Sequence, residues 1–113
     1  MARVLVVEDE SGLREVVAEA LADFGHSATV ASDGVQAIHQ LSEQEFDVVI
    51  SDISMPGGVS GIDLAEYILA ANSSTKVVLV SGHARAQLPD LPEHTTFLPK
   101  PYRIGQILAL LKE

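Results

Sequence analysis

Short apolar runs alternate with helical hydrophobic patterns along the whole chain of 113 residues. The runs are apolar on both faces and rich in β-branched residues, which is typical of parallel strands buried inside a sheet. The patterns between them repeat apolar residues at the spacing of helices that pack one face against a core. This alternation predicts a parallel sheet with right-handed crossovers and helices on both faces. Five strands are predicted, at residues 4–7, 28–31, 48–50, 77–80 and 95–98.

Three helices are predicted between the first four strands. Ser11 is predicted as the N-cap of the first helix, and residues 32–34 start the second. Ser60 and Asp63 have the spacing of a capping box, so the third helix is predicted to begin there. In the first two helices, the residues expected to face the core are Leu13, Val16, Val17, Ala20, Leu21, Phe24, Val35, Ile38 and Leu41.

The segment between the fourth and fifth strands interrupts the alternation. Pro89 and Pro92 lie in it, and a proline inside a helix removes a backbone donor and clashes with the preceding turn. A fourth helix is therefore predicted to be short or missing there, whereas periodic apolar residues at 104–111 predict a final helix. The whole chain, residues 1–113, is interpreted as a single α/β domain with a doubly wound, five-stranded parallel sheet.

Composition excludes several classes of function. The chain has 16 acidic and 7 basic side chains, and its net charge of −9 repels phosphate backbones and anionic lipid. Direct nucleic-acid binding is therefore not expected. The absence of cysteine excludes disulfides, thiolate metal sites and cysteine nucleophiles. The longest apolar runs have five residues, whereas a membrane span needs about 20, so no membrane insertion is expected. Without a signal-peptide pattern, the expected location is the cytoplasm.

Charged or hydroxyl side chains follow four of the five predicted strands. Glu8 and Asp9 follow the first strand, Asp52 the third, Ser81 the fourth and Lys100 the fifth. Reactive side chains of an open parallel sheet lie at the carboxyl ends of the strands, near the point where the strand order reverses. Polar residues begin many loops, so any one of these residues carries little information. Their combination predicts a site.

The turn after the first strand carries carboxylates where a nucleotide-binding fold would place glycines. Oxygen ligands from Glu8, Asp9 and Asp52 form a site for a hard cation, and Mg²⁺ is the usual occupant of such sites. Three carboxylates that converge without a cation repel one another and raise a pKa. A bound cation relieves that repulsion.

Four motifs stand at the strand ends: V-L-V-V-E-D-E, S-D-I-S-M-P, V-V-L-V-S-G and F-L-P-K-P. Together they resemble the receiver domains of two-component response regulators over the whole chain. The resemblance implies a flavodoxin-like sheet of order 2-1-3-4-5. It also implies an Mg²⁺-dependent phosphoacceptor that takes a phosphoryl group from a histidine kinase or a histidine phosphotransfer protein and then signals to a downstream partner. Such a receiver catalyses only its own phosphorylation and dephosphorylation, so it is not expected to be an enzyme in the usual sense.

The resemblance implies which residues hold the metal and accept the phosphoryl group. Asp52 matches the phosphoacceptor aspartate of the family. Glu8 and Asp9 match the acidic pair that holds Mg²⁺, with Glu8 in place of the commoner aspartate. The backbone carbonyl of Ser54, two residues beyond Asp52, is implied as a further metal ligand.

The resemblance also implies the remaining site residues. Lys100 matches the lysine that neutralises phosphoryl oxygens, and a cis bond before Pro101 would aim it into the pocket. Ser81 and Phe97 match the switch residues: the serine swings toward the phosphoryl group and the aromatic ring turns inward. His83, two residues after Ser81, is expected beside the pocket, where a modulating role and a solvated loop position fit equally well.

The chain departs from the common pattern in two places. The loop between Pro56 and Gly61 carries one additional residue, and only 19 positions (100 − 81) separate Ser81 from Lys100. The motif M-P-G-G together with F-L-P-K-P resembles receivers of hybrid histidine kinases or small single-domain regulators. Because the shortened segment belongs to the usual output surface, we expect the domain to be monomeric.

Three other functions are compatible with parts of the pattern. A haloacid-dehalogenase-type phosphohydrolase also forms an aspartyl phosphate with Mg²⁺, but it needs a second acid where this chain has Ser54. A flavodoxin-like cofactor binder is disfavoured by the acidic first turn and the aromatic content of 4%. A degenerate receiver that acts only as a scaffold is disfavoured by the complete set of site residues.

Overall fold

The computed structural model describes residues 1–71, 74–84 and 87–112. Within these ranges five strands and four helices follow one another along the chain. Their bounds are β1 (Arg3–Val7), α1 (Ser11–Asp23), β2 (Ser27–Ala31), α2 (Gly34–Glu43), β3 (Val48–Asp52), α3 (Gly61–Ala70), β4 (Lys76–Ser81), β5 (Thr95–Pro99) and α4 (Ile104–Leu111).

The strands form one parallel sheet of order β2-β1-β3-β4-β5. The predicted flavodoxin-like topology is confirmed, and the strand order reverses between β1 and β3. Val7 is in register with Ser51, and the next residue of β3, Asp52, is in register with Val80. The carboxyl ends of the three central strands therefore meet at one edge of the sheet, at the point of reversal.

Each face of the sheet carries its own apolar cluster. The residues of β3 and nearly all of those in β1 and β4 are buried, as expected for strands covered on both faces. One cluster joins the sheet to α2 and α3, and the other joins it to α1 and α4. Fully buried members include Leu5, Leu64 and Leu79 of the first cluster, and Leu21, Val78 and Ile107 of the second.

The first two helices bury a narrower stripe than the sequence predicts. Val17 and Leu21 are buried in α1, but Val16 is 61% exposed and Phe24 64% exposed. Val35 of α2 is 57% exposed in the same way. A helix that lies on a sheet touches it along one line of residues spaced about four apart, and Val16, next to buried Val17, is turned away from that line by about 100°. Phe24 is the C-cap, beyond the last residue of α1. The prediction that these three residues face the core is wrong.

The structure corrects one predicted helix start and confirms two. Helix α1 begins at Ser11 itself, after Glu10, so Ser11 is not its N-cap. The backbone N–H of Gln36 donates to the Asp33 side chain, 2.8 Å away, at the start of α2. At the start of α3, Ser60 and Asp63 exchange the two hydrogen bonds of a capping box, at 2.9 and 3.0 Å.

No α-helix occurs between β4 and β5 in the residues that the structure describes there, 82–84 and 87–94. Leu88 and Leu91 of this segment pack against the cluster that includes α2 and α3. They cover part of the sheet face that a helix would otherwise cover. The two prolines predicted that a helix here would be short or missing. Among the described helices, none is long and apolar enough to cross a membrane.

Candidate functional site

Three carboxylates lie together at the carboxyl edge of the sheet. Glu8 and Asp9 follow β1, and Asp52 ends β3. Each offers one oxygen, and these oxygens lie within 4.8 Å of one another. Glu8 is 5% exposed and Asp52 7% exposed, whereas Asp9 is open to solvent. Hard oxygen donors with one open side suit Mg²⁺, which keeps part of its water shell, so these residues fit that ion.

Lys100 reaches this cluster from the far end of the chain. Its Nζ lies 2.9 Å from Glu8 Oε1 and 2.7 Å from Asp52 Oδ1. The backbone N–H of Lys100 donates to the Ser81 carbonyl, 2.8 Å away, which fixes the chain just beyond β5. The peptide bond between Lys100 and Pro101 is cis. One ammonium group therefore bridges two buried carboxylates.

Burial and mutual contact separate the pKa values of the two buried carboxyl groups. Burial, together with the hydrogen bond to Glu8, raises the pKa of Asp52 to about 7, although Lys100 opposes the shift. Burial also acts to raise the pKa of Glu8, but hydrogen bonds with Asp52, Lys100 and the Glu10 N–H outweigh it and lower that pKa to about 2. Below about pH 7 the pair therefore holds one proton, and Lys100 balances its remaining negative charge; above that pH the pair loses the proton and one lysine no longer balances it.

The turn between β1 and α1 is held by two hydrogen bonds at Glu8. The carboxylate of Glu8 accepts from the Glu10 N–H at 3.1 Å, and the backbone carbonyl of Glu8 accepts from Arg14 Nη1 at 2.8 Å. Sequence reasoning missed Arg14, which lies in the first turns of α1. The only available signal was its position, six residues after Glu8 and on the helix that follows the acidic turn.

The backbone at the start of α3 lies very close to the backbone of Asp52. A Cβ atom at Gly61 would lie 2.2 Å from the Asp52 carbonyl oxygen, so only glycine fits there. The N–H of Gly61 donates to the Ile53 carbonyl at 2.9 Å, and Ser51 Oγ donates to the Asp52 carbonyl at the same distance. Sequence reasoning placed Gly61 only at a helix start and did not foresee this contact.

The other predicted residues differ in their burial and in what they contact. Ser81 is buried at the end of β4, one residue beyond the register partner of Asp52, and its Oγ accepts from the His83 N–H at 3.0 Å. Ser54 and His83 are exposed. Phe97 is half-buried and packs against the cluster that includes α2 and α3. The structure thus brings Glu8, Asp9, Asp52 and Lys100 into one cluster and leaves Ser81 beside it.

The family model of the response regulator receiver domain matches residues 4–112. The fold, the acidic pocket and this match agree, and the chain belongs to the response regulator receiver domain family of two-component systems. The response regulator receiver protein CpdR of Brucella abortus is 29% identical over 111 residues, which cover 96% of this chain and 92% of CpdR.

One further relative is much longer than this chain, and two solved receiver structures have about its length. The sensor kinase CckA of Brucella abortus is 35% identical over 117 residues, which cover 99% of this chain but only 12% of the kinase. A solved receiver domain of the hybrid histidine kinase CckA has a TM-score of 0.83 and 32% identity, over 97% of this chain and 95% of that one. TrrA of Thermotoga maritima, solved in complex with Mg²⁺ and BeF, has a TM-score of 0.83 and 29% identity, over 99% and 97%.

Proposed function

We propose that residues 1–113 act as one receiver domain that takes a phosphoryl group from a phosphohistidine onto Asp52. The observation that carries this proposal is the 2.7 Å contact between Lys100 Nζ and Asp52 Oδ1 within a cluster of three carboxylates, two of them buried. Glu8, Asp9, Asp52 and the backbone carbonyl of Ser54 would hold Mg²⁺. The relative TrrA, solved with Mg²⁺ and BeF, supports this assignment of the metal.

The proposed reaction exchanges one bond to phosphorus for another. A carboxylate oxygen of Asp52 attacks the phosphorus in line, and the P–N bond to a donor histidine protonated on its other ring nitrogen breaks. The bonding electrons stay on the ring, so an acyl phosphate and a neutral imidazole result. Such transfer needs positioning and charge neutralisation more than covalent help from the protein. Lys100 pairs with the charge that develops on the phosphoryl oxygens. Bound Mg²⁺ supplies further positive charge, which favours ionised Asp52 and neutralises the same oxygens.

Ser81 and Phe97 are the proposed switch. In the structure Ser81 Oγ accepts from the His83 N–H, and the same hydroxyl can still donate its own hydrogen to a phosphoryl oxygen. Phe97 is half-buried on β5 and, like Leu88 and Leu91, packs against the apolar cluster that includes α2 and α3. A deeper position of its ring would change the packing of this cluster, and a partner protein would detect the change.

The proposed donors are a histidine kinase or a histidine phosphotransfer protein, and the proposed setting is the cytoplasm. The chain would catalyse only its own phosphorylation and dephosphorylation, so it is proposed to be a signalling receiver. A haloacid-dehalogenase-type phosphohydrolase is not favoured, because Ser54 stands where such an enzyme needs its second acid. Both the sensor kinase CckA and the receiver protein CpdR are relatives, so the chain fits either a hybrid kinase or a short regulator.

Acetyl phosphate tests the proposal without a kinase. With Mg²⁺ it should add one phosphoryl group to the protein, visible by intact-mass spectrometry and removed by hydroxylamine. Asp52→Asn should abolish the addition, and Asp23→Asn, an exposed aspartate on α1, should leave it unchanged. Unaltered modification of Asp52→Asn would refute the assignment of the phosphoacceptor.

A further inference from the structure

Arg14 ties helix α1 to the strand end that carries two of the proposed metal ligands. Its Nη1 donates to the Glu8 carbonyl at 2.8 Å, in a partly buried contact. Glu8 lies just beyond Val7, the last residue of β1, and its N–H still donates to the Ala31 carbonyl at 3.1 Å. The sheet ladder ends here, and Arg14 supplies a donor to the first carbonyl after the strand.

The carbonyl that Arg14 holds belongs to the peptide between Glu8 and Asp9. A peptide unit is planar, so fixing this carbonyl restricts the direction in which both side chains leave the backbone. Asp9 is exposed, and packing alone does not fix its position. The N-cap residue of α1 makes no side-chain hydrogen bond to the first amides of the helix. Other contacts, such as that of Arg14, must therefore hold the turn between β1 and α1.

We propose that Arg14 is a positioning residue of the metal site, which holds the Glu8–Asp9 peptide so that both carboxylates face one cation. The inference rests on the proposed function. The hydrogen bond ends on a backbone carbonyl, so it occupies none of the carboxylate oxygens that a cation needs. Groups that orient metal ligands without touching the metal commonly control its affinity.

Titration of the metal-free protein with MgCl₂ by calorimetry, at constant ionic strength, tests this role. Arg14→Met keeps the aliphatic stem and removes the donors, and it should weaken Mg²⁺ binding about 10-fold. Arg14→Lys should stay within about threefold of wild type, because an ammonium group can donate to the same carbonyl. The matched control is Arg3→Met, which removes one positive charge at the opposite end of β1 and should leave the affinity unchanged.

Measurements at high salt distinguish a loss of Mg²⁺ affinity caused by a displaced peptide from a loss caused by the missing charge of Arg14. At about 1 M ionic strength, charges more than about 3 Å apart in solvent are largely screened, so a loss caused by charge alone would vanish. A loss caused by a displaced peptide persists, and the amide resonance of Asp9 in the metal-free variant should also shift. If Arg14→Met does not fold, as judged by urea unfolding, Arg14→Leu, which also lacks a donor, replaces it in the same experiment.

Two results would overturn the inference: Mg²⁺ affinity of the folded Arg14 variant within twofold of wild type, or a loss that disappears at high salt. Neither result would contradict the proposal that Asp52 is the phosphoacceptor. If wild type itself bound no Mg²⁺, the proposed function would fail instead, so the two failures are distinguishable.

Discussion

Asp52 binds protons differently in the folded and unfolded chain. Its pKa rises from 3.8 to about 7 on folding, because burial and the neighbouring Glu8 outweigh Lys100. Between about pH 4 and pH 7 the folded protein therefore holds a proton that the unfolded chain releases. Stability falls with rising pH wherever the folded state binds more protons. This residue therefore makes the metal-free protein less stable as pH rises through that window.

We expect metal-free wild type to lose of the order of 2 kcal/mol between about pH 5 and about pH 7.5 relative to Asp52→Asn, since each pKa unit corresponds to 1.36 kcal/mol. Urea unfolding in EDTA at both pH values measures this difference. Saturating Mg²⁺ should raise the melting temperature of wild type and reduce the pH effect, because the ion binds only the native state. Equal pH dependence of the two proteins would contradict the assignment of the shift to Asp52.

His83 is the residue whose role the sequence leaves most open. Its side chain is exposed, and its backbone N–H binds Ser81 Oγ, so it lies next to the proposed switch. We expect His83→Ala to change the rate of acyl phosphate hydrolysis and to leave phosphorylation by acetyl phosphate intact. His39→Ala, on the exposed face of α2, is the control. A hydrolysis rate equal to that of wild type would make His83 an ordinary loop residue.

At the scale of elements, the close approach of α3 to β3 sets a steric limit. A Cβ atom at Gly61 would meet the Asp52 carbonyl oxygen at 2.2 Å, and backbone atoms cannot move aside as a flexible side chain can. Gly61→Ala should therefore destabilise the protein by about 1–3 kcal/mol, the usual cost of overpacking. Gly105→Ala on α4 meets open space and should leave stability unchanged or raise it by up to about 1 kcal/mol. Chemical unfolding that gives the two variants equal stability would contradict this contact.

Some features of the fold and of the site could be predicted from the sequence, and others could not. The strands could be predicted because their apolar runs are short, continuous and separated by helical patterns. The charged cluster could be predicted because parallel strands bring Glu8, Asp52 and Lys100 to one edge whatever the details of packing. Val16 was placed on the wrong face because periodicity does not fix how a helix rotates on its sheet. Arg14 could not be predicted, because its role depends on the reach of one side chain across a turn.

At the scale of the whole molecule, charge opposes self-association. Two copies that each carry a net charge of −9 repel one another, and the described residues between β4 and β5 offer no helix to form an interface. We expect the domain to sediment as a monomer at micromolar concentration, both alone and with Mg²⁺ and beryllofluoride as a mimic of the phosphorylated state. A stoichiometric dimer that forms only with the mimic would refute this expectation.

The described residues between β4 and β5 form no α-helix that could cover β5, and this affects local opening of that strand. β5 is an edge strand, and in its burial pattern only Leu98 is buried. Regions with few buried contacts open with smaller free energies than the core, so amide hydrogens of β5 should exchange with deuterium faster than those of β1 and β3. Equal protection of the three strands in hydrogen-exchange mass spectrometry would contradict this. Because Lys100 directly follows β5, each such opening would carry its ammonium group away from Asp52. The positive charge that pairs with Asp52 is therefore attached to a strand that we expect to open more often than β1 and β3.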